Sequence, residues 1–166
     1  GNASICQSTQ TYTIPQVSSV NYLWSLSSGG SITSNGNTAT INWTTAGTHT
    51  LSVTPSNDCG VGSSRSILVT VTETPSQPST VVGNLTVCQG LQSYSVIGNT
   101  STSYNWTISG GGNISSNNSN ATVNWQTSGT YTMTITPSNI CGVGTPRTVV
   151  ITVLDVPNQP TDILGI

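Results

Sequence analysis

The chain has 166 residues but only six charges, on Arg65, Arg147, Asp58, Glu73, Asp155 and Asp162, while Ser, Thr and Asn together supply 71 residues. Two arginines cannot neutralise the phosphates on which nucleic-acid affinity rests, nor build a basic membrane-surface patch. No apolar run approaches the roughly 18 residues of a membrane-crossing helix, and one His with four scattered carboxylates leaves few acids or bases for catalysis.

The apolar residues that remain alternate with polar ones at period two, the signature of half-buried strands. In chain order, an opening strand is expected around Ile5, followed by one carrying Tyr12 and Ile14. Tyr22, Trp24 and Leu26 fall on one face of the next. Ala39, Ile41 and Trp43 alternate with Thr40 and Asn42. His49, Leu51 and Val53 alternate with Thr and Ser, and Ile67, Val69 and Val71 close the series. Turn signals separate these runs at Gly29-Gly30, Asn35-Gly36 and Gly60-Val61-Gly62. Asn-Gly suits backbone positions with φ above zero.

Each element returns 82 residues later: Cys6 as Cys88, Tyr12 as Tyr94, Trp24 as Trp106, Trp43 as Trp125, Cys59 as Cys141 and Arg65 as Arg147. Aligning residues 1–84 with 83–166 needs no gap and leaves 38 of 84 pairs identical, so the chain is an internal duplication. Pro75-Ser76-Gln77-Pro78 closes the first copy and Pro157-Asn158-Gln159-Pro160 the second. The expected division is a first domain at 1–78, a second at 79–160, and the start of a third at 161–166. A longer array of such repeats is the corresponding expectation. About seven short strands per copy, with frequent turns, predict an all-β chain of two tandem immunoglobulin-like β-sandwich domains.

Four cysteines allow three pairings. The duplication favours Cys6 with Cys59 and Cys88 with Cys141, one disulfide in each domain. A zinc site is the competing reading, although no CxxC occurs and the single His is poorly placed. Disulfides imply an oxidising, extracellular compartment.

The pattern Cys6…Tyr12…Tyr22-Leu23-Trp24…Ile41-Asn42-Trp43…Ala46-Gly47-Thr48…Asn57-Asp58-Cys59-Gly60 resembles the PKD-like repeats of large secreted bacterial surface proteins. The second copy carries the same pattern through Cys88, Tyr104-Asn105-Trp106, Val123-Asn124-Trp125 and Asn139-Ile140-Cys141-Gly142. Such repeats are frequent in the Bacteroidetes, including gliding-motility adhesins. The resemblance implies seven-stranded sandwiches in series, exported and displayed at the cell surface. It departs from the family where an acidic turn is replaced by Ser27-Ser28-Gly29-Gly30 and Ser109-Gly110-Gly111-Gly112.

Candidate sites are few. His49 is the only imidazole; its counterpart is Tyr131, so filling a sandwich edge explains it better than catalysis. Trp43 and Trp125 end a strand beside a loop, and if exposed they would form a platform for stacking on sugar rings. Glu73 and Asp155 match across the repeat beside the Pro linkers, one acid per junction with Asp162 added at the second, and are the candidate carboxylates of junction calcium sites. No resident cofactor or other metal is expected. The expectation is a non-catalytic spacer or stalk repeat of a surface adhesin, monomeric, whose partners are neighbouring repeats of the same chain. The rival is a carbohydrate-binding module that recognises surface polysaccharide, within an adhesin or attached to a secreted polysaccharide-degrading enzyme. Exposed indoles would favour the rival, buried ones the spacer.

Overall fold

A computed structural model describes residues 3–157 and 159. The chain divides into two compact units, Gly1–Thr74 and Pro75–Ile166. No helix is found among the described residues.

In unit 1 the strands are β1 (Ser4–Cys6), β2 (Thr9–Thr13), β3 (Asn21–Leu26), β4 (Gly30–Asn35), β5 (Thr38–Trp43), β6 (Gly47–Asn57), β7 (Gly60–Val61) and β8 (Arg65–Thr72). One sheet runs β1-β8-β6-β3, with β7 paired to β6, and the other runs β2-β5-β4. The predicted strands are all present, and the short β7 is added by the Asn57–Gly60 hairpin. There the Asn57 side chain accepts a 2.9 Å bond from the Cys59 amide, an Asx turn that sets the reversal locally.

Unit 2 repeats the plan with β9 (Thr86–Cys88), β10 (Gly90–Ser95), β11 (Ser103–Ile108), β12 (Gly112–Asn117), β13 (Asn120–Trp125), β14 (Gly129–Asn139), β15 (Gly142–Val143) and β16 (Arg147–Leu154). Its sheets are β11-β14-β16-β9, with β15 on β14, and β10-β13-β12.

All pairings are antiparallel except two. β1 lies parallel to β8, with Cys6 opposite Thr72, and β9 lies parallel to β16, with Cys88 opposite Leu154. The opening strand therefore sits on one sheet, and the chain then crosses to the other sheet for β2 or β10. The predicted alternation supplies each core. Tyr12, Ala39, Ile41, Trp43, Leu51, Val53, Val69 and Val71 pack between the sheets of unit 1, and their counterparts do so in unit 2. The positive-φ positions foreseen at the β4–β5 and β12–β13 turns fall on Gly36 and Asn118. Asn is among the few residues that accept that backbone at low cost.

The cysteines differ from expectation. Cys6 and Cys141 are disulfide-bonded, whereas Cys59 and Cys88 are exposed free thiols. Pairing Cys6 with Cys59, or Cys88 with Cys141, is excluded by strand register. Val71 faces Gly47 at the start of β6, and Cys6 faces the next residue, Thr72. Cys59 lies beyond Asn57, at the opposite end of that eleven-residue strand. Ten steps along β6 span about 33 Å, against the roughly 7 Å limit on Cα separation in a disulfide. The same register separates Cys88 from Cys141 along β14.

Candidate functional site

Trp43 ends β5 and Trp125 ends β13, and each indole is turned inward. Both are 1% exposed. The sugar-stacking platform that these two residues would form if exposed is therefore not presented, and the packing reading holds. The reason is a side chain on the next strand of the chain, which belongs to the facing sheet. His49, on β6, stacks on Trp43 with ring centroids 5.7 Å apart and planes at 27°. Tyr131, on β14, stacks on Trp125 at 5.4 Å and 17°. From the inner side Tyr12 meets Trp43 edge-on at 6.4 Å. Trp125 Nε1–H donates to the Tyr94 hydroxyl at 3.2 Å.

His49 is held at both nitrogens. Nε2 lies 2.9 Å from the Thr45 carbonyl and Nδ1 3.0 Å from Ser28 Oγ. A carbonyl can only accept, so Nε2 carries the proton and Nδ1 accepts from the Ser28 hydroxyl. That arrangement spends both ring atoms on structure. Tyr131 fills the same place and donates its hydroxyl proton to the Ser128 carbonyl at 3.2 Å. Gly29 and Gly111 make room for these rings. A Cβ on Gly29 would sit 2.4 Å from His49 Nε2, and one on Gly111 2.3 Å from the Tyr131 ring, with φ of +92° and +80°. The Gly-Gly pair that replaces the family's acidic turn is thus the seat of the aromatic plug.

Burial pushes the Tyr12 and Tyr94 hydroxyls above the usual phenol range, and the facing indole N–H of Trp43 or Trp125 acts the other way. Trp24 and Trp106 are also interior, and their indole N–H groups donate to the Gly36 and Asn118 carbonyls at 3.1 and 2.7 Å.

Of the candidate calcium carboxylates, Glu73 beside the first linker and Asp155 beside the second are each exposed, and Asp155 accepts a 2.9 Å bond from the Val156 amide. Asp162 lies outside the described residues. Among the described residues no group of three His, Cys, Asp or Glu side chains is placed to hold a metal ion.

The feature that sequence reading missed is the way unit 2 uses its opening segment. Arg147 Nε donates to the Pro78 carbonyl at 2.6 Å and Nη2 to Gln77 Oε1 at 3.2 Å. Gln77 Nε2 donates in turn to the Pro146 carbonyl at 2.9 Å. Pro78 is buried, and Val81 joins the core beside Tyr94, Val96 and Trp106. The recurrence of Arg65 and Arg147 beside a recurring Pro-x-Gln-Pro was the available signal.

A family model described as PKD-like domain matches residues 1–69 and again residues 74–151. No curated protein matches the chain. Among solved structures, an I-band fragment of titin is 18% identical with a TM-score of 0.53, covering 92% of this chain. A fragment of intimin is 12% identical with a TM-score of 0.52, covering 90% of this chain and 95% of its own length. Extracellular cadherin domains of protocadherin gamma B7 are 11% identical with a TM-score of 0.50, covering 90% of this chain and 47% of theirs. The chain spans 62% of the titin fragment. At these identities the likeness is one of fold.

Proposed function

Because the chain belongs to the PKD-like domain family, we propose that it serves as a non-catalytic structural repeat, a spacer within an extracellular surface protein of the adhesin type. The observation that carries this reading is the burial of Trp43 and Trp125, each plugged by an aromatic neighbour. Ring faces committed to the core cannot stack on a sugar. The lone imidazole is likewise committed, with both nitrogens bonded inside unit 1. A sparsely charged, Thr-rich chain and Pro-restricted joints suit a repeat whose task is length. The Bacteroidetes gliding-adhesin setting is the specific context proposed from the sequence pattern, with neighbouring repeats as the partners.

The test is a pull-down of the oxidised chain on a panel of insoluble polysaccharides, with tryptophan fluorescence of any hit. The spacer reading expects no saturable binding. Saturable binding with an emission shift would replace it with the recognition module.

A further inference from the structure

Asn35-Gly36 is the one Asn-Gly step in a chain of 16 asparagines. Asn35 ends β4, an edge strand of its sheet, and faces Thr38 of β5 across the hairpin. Gly36 follows in the turn with φ of +55°. Both residues are exposed. Among the described residues the Asn35 carboxamide makes no hydrogen bond, and the Gly36 amide N–H donates to nothing. An amide electrophile and a main-chain nucleophile therefore stand next to each other on the surface, neither of them engaged. In unit 2 the counterpart is Asn117-Asn118. Asn118 takes the same place at φ of +49°, but its Cβ crowds its own nitrogen. Its Oδ1 also accepts a 3.1 Å bond from the Tyr104 amide, which ties that turn to β11.

We propose that Asn35 is a self-modification site, at which the folded chain converts asparagine to isoaspartate and aspartate in unit 1 and not in unit 2. The Gly36 nitrogen gives up its proton and attacks Cγ of Asn35, forming a five-membered succinimide. The side-chain amide leaves as ammonia and takes the proton with it. Water then opens the ring at either carbonyl, giving aspartate or isoaspartate. Nucleophile and electrophile lie on one chain, so the step is unimolecular, and glycine leaves its nitrogen unshielded and its backbone free to turn. Extended backbone keeps Cγ away from the next nitrogen, so Asn35 must first leave the strand. Only the Asn35–Thr38 rung separates it from the turn, and among the described residues β4 pairs with β5 alone. Terminal rungs of this kind open at a small fraction of the global unfolding free energy.

The product alters unit 1 in a defined place. Isoaspartate routes the main chain through the former side chain and lengthens it by one methylene group. Gly36 then shifts, and with it the carbonyl that accepts the 3.1 Å bond from Trp24 Nε1. Each conversion also adds one carboxylate to a chain whose formal net charge is −2.

This inference goes beyond the spacer reading and stands or falls separately. Polysaccharide binding would overturn the spacer and leave Asn35 untouched. The test ages the whole folded chain in warm, mildly alkaline buffer and maps its peptides by mass spectrometry. The peptide that holds Asn35 is expected to gain one mass unit, faster as pH rises, while the peptide that holds Asn117 keeps its mass. Methyl uptake from S-adenosylmethionine by protein isoaspartate methyltransferase, on the same peptides, reads the isoaspartyl share. Gly36→Asn copies the turn of unit 2 and abolishes the gain with the fold kept. Asn118→Gly transfers the gain to Asn117. Hydrogen exchange of the Trp24 indole quickens in the aged wild type and not in aged Gly36→Asn. A folded chain in which Asn35 stays intact, while the same chain in urea converts, overturns the proposal, because the hairpin then protects the step. Equal conversion of Asn35 and Asn117 in the folded chain overturns the assignment to unit 1.

Discussion

Tyr131 lies stacked on Trp125, ring centroids 5.4 Å apart, in the place that His49 takes against Trp43. Two side chains of different chemistry thus do one job, closing the end of a sandwich over a buried indole. His49→Tyr is therefore expected to change stability by less than about 1 kcal/mol, since the fold already accommodates Tyr at this register. His49→Ala, which uncovers Trp43, is expected to cost about 2–4 kcal/mol. Denaturant unfolding of the two variants side by side measures the difference.

The glycines beneath the plug are equally constrained. Gly111→Ala places a methyl group 2.3 Å from the Tyr131 ring at a φ of +80°. It is expected to destabilise unit 2 by about 2–4 kcal/mol through overpacking and backbone strain. Adding Tyr131→Ala relieves the clash but not the strain, so the double variant falls short of the sum of the singles in thermal melts.

Thiol chemistry gives a direct check of the cysteine states. Alkylation of the native chain without reductant is expected to label Cys59 and Cys88 and to spare Cys6 and Cys141, which label only after reduction. Peptide mapping by mass spectrometry reads this out. Recovery of all four cysteines as oxidised would overturn the free state of Cys59 and Cys88.

Alkaline pH should loosen both units. The Tyr12 and Tyr94 hydroxyls hold their protons more tightly folded than unfolded, because burial disfavours the phenolate. Their contribution is complete below pH about 10, the ordinary phenol value, and is lost as pH rises from there through the raised folded values. Melting temperatures of the alkylated chain are expected to fall between pH 10 and 11. The double variant Tyr12→Phe, Tyr94→Phe flattens that slope. It also lowers stability at neutral pH by about 1–3 kcal/mol, because the Trp125 N–H loses its acceptor.

The Arg147 clamp should be worth more than a surface charge. Its guanidinium bonds the Pro78 carbonyl and Gln77 from a half-buried position. Arg147→Ala is expected to destabilise unit 2 by about 1.5–3 kcal/mol and to speed hydrogen exchange of the Val82 amide. Arg65→Ala, at an exposed guanidinium, should leave unit 1 within about 0.5 kcal/mol of wild type.

Strand positions and cores were legible because alternation is a local property. Ala39, Ile41 and Trp43 announce which face of β5 is buried whatever the partner strand. The status of Trp43 was harder to read because it ends its strand, and its cover, His49, arrives only when the facing sheet brings β6 over it. The cysteine pairing was misread for a related reason. Repetition says that each copy is built alike, but not which cysteines a copy's register brings within reach. Only the parallel register of β1 against β8 places Cys6 and Cys59 at opposite ends. The docking of the opening segment in unit 2 was also hidden, because it depends on Arg147 meeting Pro78 across 69 residues.

That parallel register has a mechanical consequence. The chain enters unit 1 through β1 and leaves it through β8, and these two strands run side by side in the same direction. Once the disulfide that Cys6 makes is reduced, tension applied to the two ends pulls the neighbours past one another along their length. The rungs from Ala3–Thr70 to Gln7–Thr72 are then loaded in shear, all at once, instead of being peeled one by one. Unit 2 offers the same geometry from Leu85–Thr152 to Cys88–Leu154. The first strand of each repeat, three residues long, is thus the latch on which the extension of the whole unit depends.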